Sequence, residues 1–179
     1  AETKLKFGDR SSVKELAALF CLRTHYIGGT RQLQFGTIVR IKSADDTSWT
    51  YLVCMMPLCD STRLSTTTSF PFWRLEVVSS NDINGHGLVL IDPEGEAQFL
   101  AVTGKIRDQF SLLNFTPADE GVFARPDSGR YVFIDTNSVQ YEWTADLKTL
   151  HAQRIALRIG GDVSRVGLDE SEWVRLRCK

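Results

Sequence analysis

The sequence predicts an α+β fold: a curled antiparallel sheet or small open barrel, with a short N-terminal helix and C-terminal helices. Three observations predict it. Roughly six short apolar runs, rich in β-branched and aromatic residues, are separated by turn-forming stretches. These runs do not alternate with helical segments, as a doubly wound fold requires. From about Asp146 the apolar residues change to a helical spacing.

The elements follow in chain order. The stretch SSVKELAALF predicts a helix, with Ser12 and Glu15 at capping-box spacing and Val13, Leu16, Ala17 and Phe20 on one face. Gly28 and Gly29 end it. GTIVRI and WTYLVCMM predict two strands around the polar turn KSADDTS. The second is apolar on both faces and is expected to be central or covered by the first helix. Pro57 ends that strand, since proline has no N–H for the ladder. STTTS has the composition of an exposed linker. FPFWRLEVV is a third strand, and HGLVLIDPEGEAQFLAV a hairpin turning at DPEG. GRYVFID and VQYEW form another hairpin around TNS. Leu147, Leu150, Ile155, Ile159, Val163 and Val166 then mark the helical region, interrupted by Gly160 and Gly161. LDESEWVRLR predicts a last short helix, with acids at its start and arginines at its end, as the helix dipole prefers.

At 179 residues and 42% hydrophobic, the chain can fill one sizeable core. The expected organisation is a β-rich body over 1–145 and a helical packing or interaction element over 146–179, within one domain. The formal net charge of -1 gives no global attraction to nucleic acid or membrane. Cys21, Cys54, Cys59 and Cys178 form no CxxC pair, and a chain this apolar needs no disulfide scaffold, so a reducing cytoplasm is expected. No run approaches the length of a membrane span, and no signal-peptide core opens the sequence. The chain starts at Ala1, as expected of a fragment of a longer protein.

The chemistry-bearing residues form no catalytic signature. Cys59, Asp60 and Arg63 in PLCDSTRL are the most unusual cluster. As chemistry, Cys59 would be a nucleophile whose base is His25, with Asp60 as the acid. As structure, the three make a turn network in which Arg63 pairs with Asp60. His25, His86 and His151 are far apart and match no metal-ligand spacing, so no metal and no cofactor is expected. YIGGTR lacks the lysine of a phosphate loop, and NDINGHG lacks the spaced oxygen ligands of a calcium loop. The acid pairs Asp45–Asp46 and Asp119–Glu120 lie in turns.

The C-terminal region suggests contact rather than chemistry. Lys148, Arg154, Arg158 and Arg165 make a basic series, with Arg154 and Arg158 on one helical face. That face could meet phosphate, although Asp169, Glu170 and Glu172 oppose close approach to DNA. Trp173, Arg175 and Arg177 have the composition of a protein interface: a large apolar anchor with a polar rim.

Two phrases carry a resemblance: FGTIVRI…WTYLVCMMPLCDSTRL…FPFW, from Phe35 to Trp73, and AQRIALRIGGDVSRVGLDESEWVRL, from Ala152 to Leu176. Together they resemble an uncharacterised C-terminal domain of bacterial proteins with receiver-like signalling domains, some linked to antiphage defence. The resemblance implies a regulatory or partner-binding module attached to another domain. It carries no reaction onto Cys59, Asp60 or Arg63, nor onto Ser164, Arg165, Gly167, Glu172 or Trp173. The chain is not itself the receiver, which would need a doubly wound fold and an acidic phosphorylation pocket.

The expectation is therefore a non-catalytic regulatory or protein-interaction domain, partnered by a protein or linked signalling domain and capable of homodimerising through its helical face. The alternatives are a nucleic-acid-binding module using the basic helical face and a cysteine-dependent enzyme using Cys59.

Overall fold

The computed structural model describes residues 10–25, 28–43, 48–80, 87–92, 94–102 and 109–161. Its elements are α1 (Arg10–Cys21), β1 (Thr37–Lys42), β2 (Trp49–Cys54), β3 (Thr68–Val77), β4 (Leu88–Ile91), β5 (Ala97–Ala101), β6 (Phe110–Phe115), β7 (Arg125–Asp127), β8 (Arg130–Ile134) and β9 (Gln140–Asp146). A C-terminal helix, α2, covers residues 149–161. A short 3₁₀ turn, Leu58–Ser61, follows β2.

Among the described residues every strand pair is antiparallel, and the sheet is open, with the order β4-β5-β3-β2-β1-β9-β8-β7. The long strand β3 branches it. One edge of β3 pairs with β2. The other pairs first with β6, over Thr68–Trp73, and then with β5, at Glu76 and Val77. The fold class read from the sequence is the one observed. The apolar second strand is central, between β1 and β3, with Tyr51, Leu52, Val53 and Cys54 all buried.

Strand alternation divides the core between the two faces of the sheet. On one face Ile38, Tyr51, Val53, Trp73, Leu75 and Ala145 pack under the helices and the β4–β5 hairpin. On the other, Val39, Leu52, Cys54, Phe70, Phe72, Phe115, Phe133 and Tyr141 pack with Leu33 and Val122 from the connections. Leu88, Leu90 and Leu100 share a core with Ile38 and Ala145, so the sheet curls back over itself.

Both helices are tethered to the end of β9. Arg23 N donates to Asp146 O at 2.8 Å, Lys148 N to Cys21 O at 2.9 Å, and Leu147 N to Gly36 O at 2.9 Å. These bonds fix how α1 is rotated. The expected face through Phe20 is not the buried one: Ala18 and Cys21 point inward, while Phe20 is 64% exposed. The helix also begins at Arg10, so Ser12 lies inside it rather than at its cap. The C-terminal pattern shifts for a similar reason. Leu147 belongs to the strand end, bridged to Leu22, and only then does the helix start. Ala152, Ile155 and Ile159 therefore form the inner face of α2, and Leu150 is turned outward. The final helix expected over LDESEWVRLR lies outside the described residues, as do Val163 and Val166.

Candidate functional site

Two places combine unusual chemistry with a defined geometry. The first is a buried charge cluster built across β1 and β9. A register shift between Ile38 and Val39 leaves Thr144 unpaired, a β-bulge in β9. Arg40 then sits opposite Glu142, and Thr37 opposite Asp146. Arg40 is fully buried, on the same face as Ile38. Its two terminal nitrogens fork onto Glu94, Nη1 to Oε2 at 2.6 Å and Nη2 to Oε1 at 2.8 Å. Nη2 also donates to Glu142 Oε1 at 2.9 Å. The guanidinium lies 3.9 Å from the ring centroid of Trp49, which a two-residue step in β2 places beside Tyr51.

Arg130 on β8 completes the cluster, reaching Glu142 at 3.2 Å and Glu94 at 3.9 Å. Burial alone would lower the Arg40 pKa. The bonds to Glu94 and Glu142 more than offset it, and Arg40 stays charged above its ordinary range. The bond from Arg40 in turn holds the Glu94 carboxyl down at about 2. A cleft of about 460 Å³ opens beside the cluster, lined by Arg40, Lys42, Trp49, Ser128, Arg130 and Glu142, among others.

The same bulge builds a second polar knot on the opposite face. Strict alternation would put Trp143 and Asp146 on different faces; the extra residue brings them together. Thr37 Oγ1 donates to Asp146 Oδ1 at 2.6 Å, and Trp143 Nε1 to Asp146 Oδ2 at 3.3 Å. His25 Nε2 lies 2.9 Å from Asp146 Oδ2, without the alignment of a directed hydrogen bond. Its ring meets Trp143 edge-on at 5.3 Å. Arg31 stacks over Trp143 and Tyr131, at 4.7 and 5.0 Å. A nucleophilic relay needs a hydroxyl or thiol on the imidazole. Here the hydroxyl of Thr37 is bonded to the carboxylate instead.

The cysteine reading set His25 beside Cys59 and Asp60. The acid found against His25 is Asp146. Cys59 and Asp60 are exposed on the 3₁₀ turn, which is closed by bonds from Asp60 N and Ser61 N to Pro57 O and from Ser61 Oγ to Leu58 O. Thr62 Oγ1 donates to the Cys59 carbonyl, and Arg63 follows with a φ of 60°. Cys21 and Cys54 are the buried thiols among the described residues, and the Cys54 thiol is pushed up to about 12 chiefly by burial. Among the described residues, no group of three or more His, Cys, Asp or Glu side chains is placed to hold a metal ion.

The second place is the outer face of α2. Leu150 and Leu157 are 79% and 77% exposed, and seven residues of helix put them on one face. Gln153, Ala156, Gly160 and Gly161 line a shallow depression of about 620 Å³ with Leu157. The two described arginines of the basic series, Arg154 and Arg158, are both half-buried. Arg154 Nη2 lies 2.9 Å from His151 Nδ1. A guanidinium only donates, so Nδ1 accepts and the imidazole is neutral. Burial, Arg154 and Lys148 all lower the His151 pKa in keeping with this. Arg165, Trp173 and Arg175 lie outside the described residues.

The fold and these two places define a class: an open-sheet α+β domain with a charge cluster locked across its central strands and an apolar helix face turned outward. No helix among the described residues is long and apolar enough to cross a membrane. Comparison with known proteins finds no matching family model, no matching curated protein and no matching solved structure.

Proposed function

We propose that the chain is a non-catalytic protein-interaction domain and that the outer face of α2 is its contact surface, meeting a second copy of itself. The observation that carries this reading is the paired exposure of Leu150 and Leu157, at 79% and 77%. Isolated exposed leucines are ordinary, but two on one helix face, beside an open depression, are the anchors a helix-mediated contact uses. Ala156 and Gly160, a turn apart on that side, let a partner helix approach closely. A two-fold axis presents the same face twice, so one strip supplies both halves of the contact.

The resemblance to the C-terminal domain of receiver-linked bacterial proteins supports a regulatory role in a cytoplasmic signalling or defence protein, where pairing of this domain would bring linked domains together. The nucleic-acid reading is weaker, because Arg154 is already committed to His151.

The test is sedimentation velocity on the wild type and on Leu150→Asp/Leu157→Asp. The wild type should sediment as a dimer and the double variant as a folded monomer. Substitutions at such exposed sites change stability by only about 0.5 kcal/mol each, so a lost dimer would not reflect unfolding. A wild type that stays monomeric at high concentration refutes the proposal. Duplex DNA should bind neither protein at low salt; binding that Arg154→Ala/Arg158→Ala weakens would favour the nucleic-acid reading.

A further inference from the structure

We propose that the cleft beside Arg40 is a receptor for a carboxylate, that Glu94 is its built-in occupant, and that an incoming carboxylate loosens the turn of the β4–β5 hairpin by taking Glu94's place. This does not rest on the helix face. Four observations carry it. First, Arg40 is fully buried and presents a fork already matched to a carboxylate, with both terminal nitrogens within 2.8 Å of Glu94. Second, Glu142 is the constant counter-charge: it is buried, paired across the strands with Arg40, and bonded to it independently of Glu94. Removing Glu94 therefore leaves Arg40 neutralised and Arg130 as the surplus cation beside an open fork.

Third, Glu94 does not belong to a strand paired with β1. It stands on the turn of the β4–β5 hairpin with its side chain 46% exposed, so water and solutes reach it. Besides the fork, the turn has local bonds of its own. Glu96 N donates to Asp92 Oδ1 at 2.7 Å, Gln98 Nε2 to Asp92 Oδ2 at 3.0 Å, and Gly95 takes a φ of +87°. Fourth, the cleft of about 460 Å³ runs up to the guanidinium and is walled by Trp49, Lys42, Ser128 and Gln140, giving a ligand an apolar ring and several polar groups. A carboxylate fits better than phosphate, because Glu142 and Asp127 line the same cleft and repel a dianion.

The test is calorimetric titration of sodium formate against sodium chloride at equal ionic strength. Glu94→Ala should bind formate at least about tenfold more tightly than the wild type, because the resident competitor is gone. Arg130→Ala in the Glu94→Ala background should weaken that binding. Glu94→Gln, which keeps the side chain's size, should lie between wild type and Glu94→Ala and covers the case in which alanine disturbs the turn. In the wild type, saturating ligand should speed hydrogen exchange at the Gly95 and Glu96 amides. A capped tetraglutamate peptide that achieves this at lower concentration than formate assigns the site to an acidic segment of a partner; formate acting alone assigns it to a small acid. The proposal fails if Glu94→Ala binds formate no better than the wild type, if hairpin exchange is unchanged, or if inorganic phosphate binds more tightly than formate.

Discussion

Replacing Gly36 with alanine tests how the C-terminal helix is seated. Gly36 has a φ of +84°, and a Cβ built there would lie 2.9 Å from the Cβ of Ala152 and 3.3 Å from that of Leu147. The left-handed conformation costs a non-glycine residue about 1–2 kcal/mol. Overpacking against two Cβ carbons, which cannot swing aside, adds about 1–3 kcal/mol. The sum is about 2–5 kcal/mol and centres near 3.5 kcal/mol, or roughly 7–14 °C in Tm for a chain of this size. Urea titration followed by tryptophan fluorescence measures it. Gly129→Ala is the control: its φ is +83° but nothing lies within 4 Å of the added carbon, so only the backbone cost of about 1–2 kcal/mol should appear. Ala152→Gly removes the obstructing methyl, so Gly36→Ala/Ala152→Gly should be more stable than the two single changes predict by addition, despite a helix-propensity cost of about 1 kcal/mol. If Gly36→Ala costs no more than Gly129→Ala, the close approach of α2 to the sheet is wrong.

Three further outcomes follow from the charge cluster and the thiols. Arg40→Met leaves Glu142 buried with only Arg130 for a partner and should cost about 3 kcal/mol in the same titration. Glu94, held at about 2 against an ordinary value of 4.5, contributes stability that is complete above pH 4.5 and lost as the pH falls through 2. The stability difference between wild type and Glu94→Gln should therefore be flat from neutral pH to about 5 and shrink below it. Solvent screening of the half-exposed carboxylate limits its size to about 1 kcal/mol. In the native protein Cys59, which is exposed, should react with iodoacetamide, while buried Cys21 and Cys54 should not; digestion and mass spectrometry read the sites.

Much of the sheet is legible in the sequence, because β-branched and aromatic runs bounded by turn residues survive in it unchanged. Trp49–Cys54 reads as a central strand from its two apolar faces, and Arg130–Ile134 with Gln140–Asp146 reads as a hairpin. The strand Phe110–Phe115 escapes notice. It is half-exposed, with Phe110 and Leu112 outward, and gains its identity only from pairing with the first half of β3. The rotation of α1 and the offset of α2 are also hidden, since both are fixed by bonds from distant residues to the end of β9.

The charge cluster leaves one local trace. Arg40 occupies a core-facing position in GTIVRI, where alternation asks for an apolar residue, and such a violation marks a buried charge with partners. Its partners cannot be read in advance, because Glu94 and Glu142 arrive by a hairpin curling back and a bulge shifting the register.

The central claim is that the outer face of α2 meets a second copy. Disulfide cross-linking in a Cys59→Ser/Cys178→Ser background tests it most directly. Gln153→Cys, on the exposed side of α2 between the two outward leucines, should form a covalent dimer under mild oxidation, while Lys14→Cys on the exposed side of α1 should stay monomeric. Equal cross-linking at both positions, or none at Gln153→Cys, would contradict the account.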